Sequence, residues 1–214
     1  MMKTVYFFSG LGADERVFQY MDLSKCNPVF IKWNLPLQNE SIENYAARLL
    51  VQIHEKNPIL VGVSFGGMMA IEVAKLITIE KIIIISSAKT RFEIPFYYKL
   101  LGKVNVHKII PTSFLQNFKS LNQFIFGVDT FKEKQLLNEI IQDTHPDFLK
   151  WAIDKIIHWQ NKILPNNITH IHGTADKILP FSYVSADISI QNGGHFMIVN
   201  QSDILKNILN DLIC

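Results

Sequence analysis

Three short segments of this chain carry residue types whose chemistry depends on meeting one another. Gly62-Val63-Ser64-Phe65-Gly66 sets a serine between glycines two residues away on either side. His172-Gly173-Thr174-Ala175-Asp176 supplies a carboxylate, and Gly193-Gly194-His195-Phe196 supplies an imidazole. A serine hydroxyl is a weak nucleophile until a neighbouring base takes its proton, and that base works best when a third group orients it. Ser64, His195 and Asp176 are the candidates for these roles. The flanking glycines fit the same purpose. A serine displayed on a sharp strand-to-helix turn needs small neighbours two residues before and after it, and Gly67 adds room against the next element.

A fourth segment, Ser9-Gly10-Leu11-Gly12, follows the first apolar run. Its glycines let a turn come close to the serine, so the backbone N–H of Leu11 would pair with that of Phe65. Two such donors make a pocket for a developing oxyanion, each worth about 3–4 kcal/mol in the transition state. A helix beginning at Phe65 favours negative charge at the same point.

The elements that must position these residues show in the hydrophobic pattern. Short apolar runs at Thr4–Phe8, Val29–Trp33, Ile59–Val63, Lys81–Ile85, Ile168–His172 and Ile188–Gln191 read as strands. Their near-continuous apolar character suits strands covered on both faces. Amphipathic helices are predicted over Asp14–Ser24, Ser41–Lys56, Phe65–Leu76 and Ser202–Leu212. Alternation of the two signals βαβ units and a parallel sheet. In such a sheet Ser64, Asp176 and His195 all fall at the C-terminal ends of strands, the edge where ligands gather. From Thr90 to Trp159 the pattern is helical and holds 12 of the chain's 24 aromatic residues, which suits a lid whose apolar underside lines a pocket.

Composition excludes other classes. The chain has 214 residues, 48% of them apolar, enough for one sizeable core. Its 21 basic and 19 acidic residues nearly cancel, and only three of the basic ones are arginine (Arg16, Arg48, Arg91), which argues against nucleic-acid binding. Cys26 and Cys214 have no metal-ligand or disulfide-framework spacing. Apolar runs such as Ile82 to Ile85 stop at four residues, far short of the roughly 20 of a membrane span. The segment Thr4–Phe8 reads as a buried strand rather than a leader, so a cytoplasmic location is expected. His54, His107, His145, His158 and His170 show no metal-like clustering, and His172 reads as a packing residue at a strand end. No metal or cofactor is called for; the expected partner is a small-molecule substrate.

The order of Ser64 on its turn, then Asp176, then His195 resembles the α/β-hydrolase fold family, and the likeness runs from Thr4 to the C-terminus. It implies an α/β architecture with a doubly wound, mostly parallel six-stranded sheet. It also implies a single domain over 1–214, with residues 90–160 as an inserted helical cap. On the same ground Ser64 is the nucleophile, His195 the general base and Asp176 the acid that orients it, with Leu11 and Phe65 as oxyanion donors. Two departures stand out. Many members carry His-Gly where this chain has Ser9-Gly10, so a contact behind the turn is lost or replaced. The antiparallel strands that often precede the first strand are not expected here, which implies a trimmed sheet.

The resemblance implies hydrolysis of a carboxylic ester or thioester with a small hydrophobic or acyl-chain substrate. A serine on the turn argues against epoxide or haloalkane hydrolysis, which family members perform with an aspartate there. C–C bond hydrolysis or acyl transfer would use the same three residues, and a slow-turnover small-molecule receptor would keep them without rapid chemistry. A histidine base predicts activity that rises from about pH 6 to 8.

Overall fold

A computed structural model describes residues 2–103 and 119–213. Six strands form one sheet: β1 (Thr4–Phe8), β2 (Asn27–Phe30), β3 (Ile59–Val63), β4 (Lys81–Ile85), β5 (Ile168–Gly173) and β6 (Ile188–Ile190). All neighbours are parallel, in the order β2-β1-β3-β4-β5-β6. Side chains alternate between the two faces, and in the central strands β1, β3 and β4 both faces are buried. Val5, Phe7, Val61 and Ile83 point into one core, with Leu205 and Leu209 of a C-terminal helix. Tyr6, Phe8, Leu60, Ile82 and Ile84 point into the other, with Tyr45, Leu49 and Ile71. Two-sided burial is the reason β1, β3 and β4 read as nearly continuous apolar runs.

Helix α1 (Ile42–Leu49) leads into β3 and α2 (Phe65–Ala74) leaves it. Between β4 and β5, the described residues form α3 (Phe96–Lys103), α4 (Lys119–Phe126), α5 (Phe131–Asp143) and α6 (Pro146–His158). The chain closes with α7 (Met197–Asn200) and α8 (Ser202–Ile213). Thr130 and Glu133 cap α5 reciprocally, and Pro146 opens α6 at a position where a missing N–H costs nothing.

Several boundaries differ from the sequence expectation, each for a local reason. The helix predicted over Asp14–Ser24 is only a 3₁₀ turn, Glu15–Phe18. Asp14 accepts the Arg16 N–H and pairs with its side chain, which in turn reaches Asp143 at 2.8 Å. The helix predicted over Ser41–Lys56 stops at Leu49 and passes through a 3₁₀ turn to Gln52. The buried Tyr6 hydroxyl accepts the N–H groups of His54 and Glu55, donors a longer helix would need. The strand predicted over Val29–Trp33 lies at Asn27–Phe30 instead. Beyond it the Gln52 side chain takes both Lys32 backbone groups, at 2.9 and 3.0 Å, in place of a neighbouring strand.

The turn after β1 is tied to the end of α5. The single hydroxyl hydrogen of Thr144 is shared between the carbonyls of Ile140 at 2.8 Å and Gly12 at 3.1 Å. Gly12 has φ +65°, and a Cβ there would overlap the Thr144 side chain, so this contact requires glycine.

Candidate active site

Strand order reverses direction around β1 and β3: the chain goes from β1 outward to β2, then returns past β1 to β3. The turns leaving two such strands diverge and open a crevice at their C-terminal ends. Ser9–Gly12 follows β1 and Ser64 follows β3, so both border this crevice.

Ser64 has φ 54° and ψ −122°, a conformation that side chains rarely tolerate. Its surroundings hold it there. Ser64 N–H donates to the Ile85 carbonyl at 2.9 Å, while its own carbonyl accepts Gly67 N–H at 2.9 Å and the Ser87 hydroxyl at 2.7 Å. The first turn of α2 passes so close to β1 and β3 that side chains are excluded. A Cβ on Gly66 would overlap the Phe8 and Ser9 carbonyls, and one on Gly62 would lie 2.5 Å from the Gly66 carbonyl. The glycines expected from the motif are thus required by backbone contact.

Asp176 and His195 come from the loops after β5 and β6, which are bonded to one another: Ala175 N–H donates to the Gly193 carbonyl at 2.9 Å. His195 Nδ1 lies 2.7 Å from Asp176 Oδ2, and its Nε2 lies 2.8 Å from Ser64 Oγ. A carboxylate only accepts, so Nδ1 carries the proton and Nε2 faces the serine with a lone pair. Asp176 Oδ1 accepts the N–H groups of Ile178 and Leu179, at 2.8 and 2.9 Å. Burial pushes the Asp176 carboxyl up, but the His195 charge and hydrogen bond, His172 and the Leu179 N–H outweigh it and hold the group below the usual carboxylate range. The Phe126 ring, at the end of α4, stands edge-on to the His195 ring at 5.6 Å between centroids.

Leu11 lines the same cavity as Ser64 and His195; Phe65 is buried at the first position of α2, where a helical N–H has no intrahelical acceptor. Ser9 resolves the departure noted in this turn. Its hydroxyl donates to the Ala13 carbonyl at 2.6 Å and accepts the Trp33 indole N–H at 2.9 Å, so the turn is braced by a serine and a tryptophan. The cavity measures about 240 Å³. Its wall is apolar, with Phe126, Leu137, Ile140, Leu149 and Ile153 from the helices between β4 and β5.

The sequence reads His172 as a packing residue, yet the structure lays it against Asp176. Its Nε2 is 2.8 Å from the Leu179 carbonyl and 3.3 Å from Asp176 Oδ2, while its Nδ1 is 3.0 Å from Nε2 of His170. Both histidines are fully buried. Burial lowers both imidazoles: for His172 it outweighs the Asp176 charge, and for His170 it outweighs the Asp187 charge and a Ser185 backbone hydrogen bond to bring the group to about 3. The signal was present as His-x-His on one strand, which puts alternate residues on one face, with Asp176 four residues beyond His172. His145 and His158 face Asp147 and Asp154 on α6, His54 donates its backbone N–H to Tyr6, and His107 falls outside the described residues. Among the described residues no group of three or more His, Cys, Asp or Glu could hold a metal ion, and no helix is long and apolar enough to cross a membrane.

Known proteins share this architecture. A bromoperoxidase from Bacillus anthracis superposes over 100% of this chain and 92% of its own, with TM-score 0.72 and 17% identity. The meta-cleavage product hydrolase of Pseudomonas fluorescens IP01 matches 98% of this chain and 90% of its own, with TM-score 0.67 and 18% identity. An esterase from Thermogutta terrifontis matches 99% and 91%, with TM-score 0.68 and 12% identity. By sequence, a Methanocaldococcus jannaschii protein named as a proposed protease is 29% identical over 112 residues, 50% of this chain. The chain spans about a third (35%) of the length of that relative. No family model matches the sequence. At these identities the likenesses establish a common fold.

Proposed function

From the α/β-hydrolase fold that the chain shares with these structures, we propose that it is a serine hydrolase acting on carboxylic esters or thioesters of small hydrophobic or acyl-chain substrates. One observation carries the proposal: His195 bridges Ser64 Oγ and Asp176 Oδ2 at 2.8 and 2.7 Å, at the wall of an apolar cavity.

The reaction runs as follows. Ser64 Oγ bonds to the substrate carbonyl carbon while its proton passes to His195 Nε2. The carbonyl electrons move to oxygen, and the N–H groups of Leu11 and Phe65 receive that charge. Asp176, held ionised by its hydrogen bonds, offsets the imidazolium. When the intermediate collapses, the bond to the leaving oxygen or sulfur breaks and His195 returns the proton to it. Water then attacks the acyl-enzyme by the same route and restores Ser64. A cavity of about 240 Å³ with an apolar wall suits a small hydrophobic acyl group.

The helices between β4 and β5 act in this reading as the lid, and their apolar side chains select the acyl group. The esterase and the meta-cleavage product hydrolase among the structural neighbours support a hydrolytic reading. Fluorophosphonate labelling read by intact mass tests it. Wild type is expected to gain one adduct that Ser64→Ala abolishes and His195→Ala slows strongly. A folded wild type that gains no adduct overturns the proposal.

A further inference from the structure

Asp176 is enclosed on two sides by histidines, and only His195 takes part in the reaction proposed above. Resting on that reading, we propose that His172 and His170 are positioning residues, a buried imidazole relay that fixes Asp176 and through it the orientation of His195.

The tautomers follow from the acceptors around the relay. His172 Nε2 faces the Leu179 carbonyl at 2.8 Å and Asp176 Oδ2 at 3.3 Å. Both are acceptors, so Nε2 must carry the hydrogen. With His172 neutral, its Nδ1 is a lone pair, and it lies 3.0 Å from His170 Nε2. His170 must therefore donate from Nε2, which leaves its own Nδ1 as the unprotonated end. That atom is buried and makes no hydrogen bond of ordinary geometry, although a Ser185 backbone contact with the ring favours its charged form. A lone pair left unpaired there is the cost of the arrangement, and the ordered donors pointing toward Asp176 are its result.

The relay acts on the acid in two ways. The Leu179 carbonyl accepts from His172 while the Leu179 N–H donates to Asp176 Oδ1 at 2.9 Å, so the loop carrying the acid is gripped at a single residue from both sides. The positive edge of the His172 ring also lies against Oδ2, the oxygen that orients His195. The His195 donor at 2.7 Å and the His172 contact at 3.3 Å thus meet at one carboxylate oxygen. His170 does not reach the acid; it keeps His172 in the one tautomer that does.

Nitrogen NMR of the histidine side chains tests the tautomers without any turnover. Pyrrole-type Nε2 and pyridine-type Nδ1 signals are expected for both His170 and His172. A protonated Nδ1 on His172 overturns the relay. Labelling rates then test its consequence. His172→Leu, of similar volume, should slow fluorophosphonate labelling by on the order of ten- to a hundredfold, the scale expected for a hydrogen bond to a charged group. His172→Gln can restore a donor near Nε2 and should recover much of that loss. His170→Leu should give an intermediate loss. In an ester assay these losses should appear in kcat with KM little changed. If His172→Leu, with a native circular dichroism spectrum, labels at the wild-type rate, the relay is overturned while the hydrolase reading stands. If His172→Leu does not fold, failure of His172→Gln to outpace a folded His170→Leu also overturns the relay. Absence of labelling in wild type would strike the hydrolase reading instead.

Discussion

Replacing Ser64 by glycine should make the protein more stable than replacing it by alanine, although both variants lack the hydroxyl that the proposed reaction needs. Both substitutions remove the hydroxyl and its contact with His195, so the comparison isolates the backbone. At φ 54° and ψ −122° a residue with a Cβ is strained by about 1–3 kcal/mol. Glycine relieves this strain but adds roughly 0.5–1 kcal/mol of unfolded-chain entropy. Because Ser64 is only half-buried, little Cβ packing is lost. The net expectation is a gain of about 1 kcal/mol for Ser64→Gly over Ser64→Ala, or about 2–4 °C in melting temperature for a chain of this size. Urea unfolding at equal slope, with calorimetry beside it, measures the difference. If Ser64→Gly has the same midpoint as Ser64→Ala or a lower one, the turn is not strained and the account of how α2 and β4 hold it is wrong.

Three further outcomes are expected. Gly66→Ala places a methyl group against the Phe8 and Ser9 carbonyls, which cannot rotate away, so a loss of about 3 kcal/mol or failure to fold is expected in urea unfolding. Asp176→Asn leaves His195 Nδ1 without a charged partner; ester hydrolysis should fall by about 10³–10⁴-fold in kcat, and a fall below tenfold would remove Asp176 from the mechanism. Stability should decline on acidification because His170, lowered to about 3 chiefly by burial against the opposing pull of Asp187 and a Ser185 backbone hydrogen bond, stays neutral when folded but takes a proton near 6.5 when unfolded. The stability it contributes is full above pH 6.5 and is lost as pH falls toward 3. That amounts to about 2 kcal/mol by pH 5 and at most about 5 kcal/mol. Urea midpoints measured at pH 7 and pH 5 should converge in His170→Leu, and an unchanged pH slope in that variant would refute the assignment.

Much of this site is legible in the sequence because its demands are local. Gly62, Ser64 and Gly66 record a turn that backbone contact forces, and the strands holding Ser64 and Asp176 lie where their apolar runs lie. What the sequence conceals is decided by partners far along the chain. The helix after Ser41 ends early because Tyr6, 48 residues before His54, takes its N–H. Chain β2 leaves the sheet where a glutamine from the next helical segment substitutes for a strand. His172 reads as packing because nothing in a strand-end histidine announces a carbonyl seven residues later as its acceptor. The brace behind the first turn joins Ser9 to Trp33, again across 24 residues.

The tie between Gly12 and Thr144 has a mechanical consequence. Leu11 directly precedes Gly12, and Thr144 directly follows α5, whose side chains form part of the cavity wall. Arg16, bonded to Asp14 on one side and Asp143 on the other, makes a second rivet across the same seam. The wall and the turn therefore share one hinge line. A displacement of α5 that widens the cavity must either drag the Leu11 amide away from Ser64 or break both rivets; under the proposed hydrolase reading, loosening the grip on a substrate and disarming the oxyanion donors would then be a single movement.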